Sequence, residues 1–259
     1  MKRGIILAAG SGSRLYPYTK DLPKCLVKLA GKTLLEHQLQ SLNTAGINDI
    51  IVVGGYKYEL LPKGNYKIVV NKFWDTTNMV SSLFCARDYM GEDFIVSYAD
   101  IIYQPGIVSE LSKDSCDIGV VIDKDWLKLW KIRFSNVLSD AESLKLDSDG
   151  NIIDIGRKVK DSQEIQGQYI GLLKFSGQGR KDMINFYDRA TENEKRQVPV
   201  EKFRKMFMTD FLQLLIDANI KIKAVPIKNG WLEIDTKSDY ELYLKLYEDN
   251  KLSEFIKLG

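Results

Sequence analysis

Gly10, Gly12, Arg14 and Lys24 are the residues through which this chain could do chemistry. An apolar run, Ile5-Ile6-Leu7-Ala8-Ala9, delivers the loop Gly10-Ser11-Gly12-Ser13-Arg14-Leu15, and Pro23-Lys24-Cys25-Leu26 follows soon after. Glycines let a backbone approach a ligand closely and aim its N–H groups at it. An arginine adds forked hydrogen bonds and a lysine a compact positive charge. Phosphate oxygens are the partners this combination suits, and a nucleoside triphosphate is the expected guest. A glycine pair after a strand is by itself no more than a tight turn; it is the addition of Arg14 and Lys24 that points to phosphate. No Gly-Lys-Ser/Thr closes the loop, so it is not a Walker A loop. Leu15 stands where the dinucleotide fingerprint would need its third glycine.

Two acidic residues could complete such a site. Asp100 follows the apolar run Phe94–Tyr98, and Asp235 follows Trp231-Leu232-Glu233-Ile234. Open α/β sheets hold ligands at the carboxyl ends of their strands. Mg²⁺ is commonly held by one or two carboxylates together with phosphate oxygens and water. Taken singly, an aspartate after a strand is more often a turn or cap residue. The one histidine, His37, falls inside an expected helix with no sign of catalytic partners, which points to a core or surface residue. Asp123-Lys124-Asp125 has the spacing of a glycosyltransferase metal motif but follows the wrong part of the chain, and a polar turn explains it better.

The elements that must position these groups alternate through the first half. Gly4–Ala8, Asp49–Val53, Tyr66–Val70 and Phe94–Tyr98 read as buried strands. Thr33–Ala45, stopped by Gly46, reads as a helix, and so does a segment capped by Asn78 and running to about Tyr89. The β-α-β-α order implies a parallel sheet with helices on both faces. From about Asp117 to Phe175 strands follow one another closely, with Asp149-Gly150 turning between Leu144–Leu146 and Ile152–Ile155, as in an antiparallel lobe. Asp182–Arg196 reads as a solvated surface helix and Met206–Ala218 as an amphipathic one. Ile220–Pro226 then reads as a late strand, and a last helix runs from a Thr236 cap to Glu248.

Composition narrows the class. A chain of 259 residues, 44% hydrophobic, can build one large α/β domain. A net charge of +2 argues against nucleic acid or membrane recognised by bulk charge. Cys25, Cys85 and Cys116 lie far apart, as reduced cytoplasmic thiols do, and form neither a zinc spacing nor a disulfide framework. With the first strand starting near Gly4, no signal peptide is expected, and no apolar run reaches the length of a membrane span.

The composite Leu7-Ala8-Ala9-Gly10-Ser11-Gly12-Ser13-Arg14-Leu15, followed by Pro23-Lys24-Cys25-Leu26, resembles without a gap the signature of the nucleotidyltransferases that make activated sugars and activated alcohol phosphates. The resemblance spans nearly the whole length and is weakest between Asp114 and Arg196. It implies a Rossmann-like, mixed but mostly parallel sheet with helices on both faces and a smaller antiparallel acceptor-binding lobe. All of this would lie in a single domain over 1–259, with 1–115 as the nucleotide-binding half and 116–259 as the acceptor-binding and metal-completing half. It also implies roles: Leu7 to Gly12 around the nucleotide, Arg14 on the β- and γ-phosphates, Lys24 on the α-phosphate and attacking oxygen, and Mg²⁺ on Asp100 and Asp235.

Thr77-Asn78-Met79-Val80-Ser81-Ser82-Leu83 carries no glycine or proline and is similar to the CTP-using branch, where Asn78, Ser81 and Ser82 would read the base or ribose. Helix capping alone would equally explain Asn78. Ile155-Gly156-Arg157-Lys158 resembles the segment that gives the acceptor phosphate a cation, with Lys158 the better match. Trp126, Trp130, Tyr169 and Trp231 could line the acceptor site, and Tyr169 and Trp231 are its named candidates. Glu142, Glu164 and Glu233 could pair with an amino group instead. The expected substrates are thus CTP and a small phosphorylated acceptor, in a cytoplasmic enzyme without nucleic-acid or membrane partners and with a homodimer left open. A sugar 1-phosphate enzyme using UTP, dTTP or CTP is the alternative. A silent nucleotide-sugar sensor is the alternative of another class.

Overall fold

The computed structural model describes residues 1–192 and 200–258. The chain opens with β1 (Arg3–Ala8) and a short hairpin of β2 (Lys28–Leu29) and β3 (Lys32–Thr33) that leads into α1 (Leu34–Thr44). Then come β4 (Asp49–Gly54), β5 (Lys67–Val70), α2 (Met79–Cys85), β6 (Phe94–Tyr98), β7 (Ile101–Tyr103), α3 (Pro105–Lys113), β8 (Ile118–Asp123) and α4 (Trp126–Arg133). The second half holds β9 (Glu142–Leu146), β10 (Ile152–Lys158), β11 (Gln168–Phe175), α5 (Gly177–Glu192), α6 (Val200–Arg204), α7 (Met208–Asp217), β12 (Lys223–Ile227), β13 (Trp231–Glu233) and α8 (Lys237–Glu248). Among the described residues a seven-stranded sheet runs in the order β12-β8-β11-β6-β1-β4-β5. Its pairings are parallel except at β11, which runs against both β6 and β8.

The sheet is covered on both faces because its strands are apolar on both. Along β1, Ile6 and Ala8 share one core with Leu34, Leu35 and Leu42 of α1, while Ile5 and Leu7 share the other with Val80, Leu83 and Phe84 of α2. Period-two alternation sends successive side chains to opposite faces, and a run buried on both sides therefore reads as continuously apolar. Each such Ile or Leu, fully buried, contributes about 1.5–3 kcal/mol.

Helix starts are fixed locally. Thr33 accepts the Glu36 N–H at 3.1 Å while the Glu36 carboxylate accepts the Thr33 N–H at 2.7 Å. Thr236 and Asp239 repeat this capping box at α8. Caps of this kind are each worth about 1 kcal/mol.

Three expectations change. The helix capped by Asn78 ends at Cys85, and the Arg87–Tyr89 turn that follows is 3₁₀. The antiparallel lobe shrinks to the β9–β10 ribbon, because β8 and β11 join the large sheet; β8 is buried at every residue and so needs cover on both faces. α5 buries Met183 and Ile184 rather than being solvated all round, and the 193–196 part of the helix expected there lies outside the described residues. No helix among the described residues is long and apolar enough to cross a membrane.

Candidate active site

The loop after β1 is shaped by Gly12. Its φ of 62° lies in the left-handed region, and a Cβ there would stand 2.9 Å from Lys24 Cβ, so glycine is needed for both backbone and contact. The Gly12 carbonyl accepts the Leu15 N–H at 2.9 Å and the hydroxyl of buried Thr19 at 2.6 Å, which closes the loop back on itself. Lys24, in the 3₁₀ turn after Pro23, is thereby pressed along the loop with its ammonium directed at the sheet edge.

That ammonium lies 2.7 Å from Asp100 Oδ2 and 2.9 Å from Asp235 Oδ1, and Arg14 reaches Asp235 Oδ2 at 2.6 Å. Asp100 follows β6. Asp235 follows β13, which pairs antiparallel with β7, and the Ile234 N–H donates to the Asp100 carbonyl at 2.8 Å. Residues far apart in the chain are thus joined backbone to backbone at one edge. Burial disfavours the charge on Lys24, but the two carboxylates outweigh it and its pKa rises, so the ammonium persists.

A cavity of about 250 Å³ opens above these groups. It is lined by Leu7, Ala8, Ala9, Gly10, Gly12, Arg14, Lys24, Asn78, Ser82, Asp100 and Asp235, all marked from the sequence, and also by Ser13, Cys25, Trp74, Thr77, Met79, Tyr98 and Ala99. Sequence reading missed the second set. Trp74 could have been found as an aromatic residue just beyond β5, and Tyr98 as the last residue of β6. Buried Asn71, also missed, donates to Thr77 Oγ1 at 2.9 Å and Ser82 Oγ at 3.0 Å, fixing two hydroxyls at the cavity wall.

Other marked residues lie elsewhere. Ser11 does not line the cavity, and Ser81 donates its hydroxyl to the Arg204 carbonyl at 3.0 Å, facing α6. Trp231 is corrected outright. It is 1% exposed, packs on Trp130, and donates Nε1–H to Asp123 Oδ2 at 2.9 Å, so it is a core residue. Asp123 also accepts the N–H groups of Asp125 and Asn229, the polar turn expected for Asp123-Lys124-Asp125. Trp126 and Trp130 are core residues as well. Tyr169 packs edge-on against Tyr98 with its hydroxyl buried and unpartnered, one ring behind the cavity wall. Lys158 is exposed at the end of β10, opposite Glu142 and outside the cavity lining, while neighbouring Arg157 pairs with Asp154. Glu164 pairs with Lys145, and Glu233 with Arg133. His37 is buried, donating Nε2–H to the Leu29 carbonyl at 2.9 Å.

The donor set fits a hard cation. Asp100 Oδ1 is buried without a hydrogen-bond partner, a cost of about 1–3 kcal/mol that a ligand in the cavity would relieve. Two carboxylates brought together at the cavity floor suit an ion that keeps water and phosphate ligands.

Residues 4–150 match the MobA-like NTP transferase domain family. The chain belongs to this family. This nucleotidyltransferase is 43% identical over 252 residues to the CTP:phosphoglutamine cytidylyltransferase of Campylobacter jejuni subsp. jejuni serotype O:2, covering 93% of this chain and 98% of that one. It is 32% identical over 117 residues to the choline-phosphate cytidylyltransferase of Streptococcus pneumoniae, covering 44% of this chain and 51% of that one. The inositol-1-phosphate CTP transferase from T. maritima shares its fold, with a TM-score of 0.71 at 21% identity over 99% of this chain and 98% of that one.

Proposed function

We propose that this nucleotidyltransferase joins CTP to a small alcohol phosphate or phosphonate, giving a cytidylyl-linked product and pyrophosphate, with Mg²⁺ on Asp100 and Asp235. The convergence of Arg14, Lys24, Asp100 and Asp235 beneath one glycine loop carries the reading. The base follows from the two cytidylyltransferase relatives and from Asn78 and Ser82 at the cavity wall. A sensor that had lost turnover would have no need of four charged groups meeting at the cavity floor.

An acceptor oxygen attacks the α-phosphorus, and the bond to the β-phosphate oxygen breaks with its electron pair leaving on pyrophosphate. The attacking phosphate is ionised at neutral pH, so the residues orient and neutralise rather than remove a proton. The loop N–H groups hold the triphosphate, exposed Arg14 swings onto its outer phosphates, and Lys24 meets the charge that shifts around the α-phosphorus. When bound, Mg²⁺ supplies charge neutralisation to the phosphates. Lys158 serves the acceptor phosphate, and Tyr98, backed by Tyr169, forms the wall nearest the acceptor. Residues 1–115 serve the nucleotide and 116–259 the acceptor within one domain. A cytoplasmic location, where thiols stay reduced, fits Cys25, Cys85 and Cys116 as free thiols.

A pyrophosphate-release assay with each of the four nucleoside triphosphates against phosphocholine, phosphoglutamine, an aminoalkylphosphonate and glucose 1-phosphate tests the proposal. CTP with one of the first three should turn over fastest. A preference for UTP or dTTP with the sugar phosphate would sink it.

A further inference from the structure

Arg133, at the end of α4, does not line the cavity, and its side chain is 1% exposed. Its guanidinium lies over the faces of Trp130 and Phe134, 5.2 and 4.9 Å from their centroids. Nε and Nη2 donate to the two oxygens of Asp239 at 2.9 and 3.1 Å, and Nη1 stands 2.8 Å from Glu233 Oε2. Asp239 Oδ2 in turn accepts the N–H of Asp235 at 3.2 Å and that of Thr236 at 2.9 Å. One cation therefore clamps the residues on both sides of Asp235: Glu233 at the end of β13 and Asp239 in the first turn of α8.

We propose that Arg133 is a positioning residue that sets the backbone of Asp235, through Asp239 on one side and Glu233 on the other, so that the Asp235 carboxylate faces the cation position. This rests on the reading that Asp235 holds the metal. Asp235 stands in the short link between β13 and α8, where no strand ladder fixes it. The oxygen that holds its N–H belongs to a carboxylate that could rotate, and the planar two-point fork from Arg133 stops that rotation. A lysine at 133 would keep the charge but offer a single point, without the fork. Groups that orient a metal ligand from behind typically carry 10–100-fold in metal affinity or activity.

The test uses the full chain with Arg133→Lys, Asp239→Asn and Asp235→Asn. Mn²⁺ binding in the presence of CTP is followed by electron paramagnetic resonance, beside kcat, the KM for CTP and the melting temperature. Arg133→Lys should melt cooperatively, bind Mn²⁺ about tenfold more weakly and lose about tenfold in kcat, with the KM for CTP changed far less. Asp239→Asn keeps an oxygen for the Asp235 and Thr236 N–H groups while losing the ion pair. It should move the same readouts in the same direction, and it decides the matter if Arg133→Lys does not fold. A lowered melting temperature with unchanged Mn²⁺ affinity and unchanged kcat per folded molecule would mean that Arg133 is structural only, and would overturn the proposal. Asp235→Asn separates the two layers. If it leaves Mn²⁺ affinity unchanged, the metal reading itself falls. If it weakens Mn²⁺ while the other two variants do not, only the positioning role falls.

Discussion

Lys24 and Arg133 are two cations that each meet two carboxylates around Asp235's short link, yet they are built for different tasks. Lys24 is a point charge on a flexible stem, 13% exposed, at the floor of a cavity. Arg133 is a planar fork, sealed between aromatic faces and held by both oxygens of one carboxylate. Burial opposes the charge on each, and in each case the neighbouring carboxylates outweigh it and raise the pKa. The same ion-pair chemistry therefore yields a charge that can change partners and a strut that cannot. The difference is whether the partners face an opening or a core.

The largest effect expected on the cavity side comes from Lys24→Ala. If Lys24 meets charge that develops in the reaction, kcat should fall by about 10²–10³-fold. A mutant with near-normal kcat and only a raised KM for CTP would make Lys24 a binding residue and erase the contrast. Next come Asp100→Asn and Asp235→Asn. Each should lower turnover by about 10²-fold on the same scale, and the double variant should cost far less than the sum, because the first loss already disables the unit. Rates measured against Mg²⁺ concentration decide this, and additive losses would mean that the two aspartates do not share an ion.

On the core side, Trp231→Phe should cost about 1–3 kcal/mol in a urea melt, since buried Asp123 loses a donor. The acceptor KM should stay unchanged; a raised one would return Trp231 to the acceptor site. The smallest effect is a slope. Burial raises the Glu233 carboxyl above the usual carboxylate range, with Arg133 opposing the rise and repulsion from Asp100 and Asp235 adding to it. A raised pKa means that the folded state binds the proton more tightly than the unfolded chain. The resulting stability is complete below the unfolded value of about 4.3 and is lost as pH rises through the raised folded value. Asp239 is lowered, because Arg133 and Thr236 outweigh its burial, so its contribution runs the other way and disappears only as pH falls below about 3.9. Urea midpoints between pH 4.5 and 7.5 should therefore decline with pH in the parent and stay flatter in Glu233→Gln. Equal slopes would remove Glu233 as the cause.

The nucleotide side was legible because its groups are consecutive or nearly so. Leu7 to Gly10, Gly12 to Arg14 and Lys24 reach the cavity through a single strand-loop-turn, and local rules about glycine, arginine and strand ends suffice to read it. Asp100 and Asp235 were legible as strand-end acids, although only the β7–β13 pairing and the Ile234–Asp100 hydrogen bond bring them together. The other side depends on packing that no short pattern records. Trp231 is as apolar in sequence as a ligand-stacking residue would be, and the buried carboxylate of Asp123 is what assigns it to the core. In sequence β8 and β11 read as part of a lobe, because strands follow one another closely there. Their complete or nearly complete burial is a property of the helices laid over them. Arg133 left no trace, since a basic residue near a helix end is usually explained by the helix dipole.

Lys24 between its two aspartates has a consequence for the life of the protein before it meets a substrate. The acidic pair carries its own counterion in the covalent chain, so the Mg²⁺ proposed above is not needed to offset the two aspartate charges in the fold. Chelation should then silence the enzyme while leaving its melting behaviour intact, unlike proteins in which the ion is part of the fold.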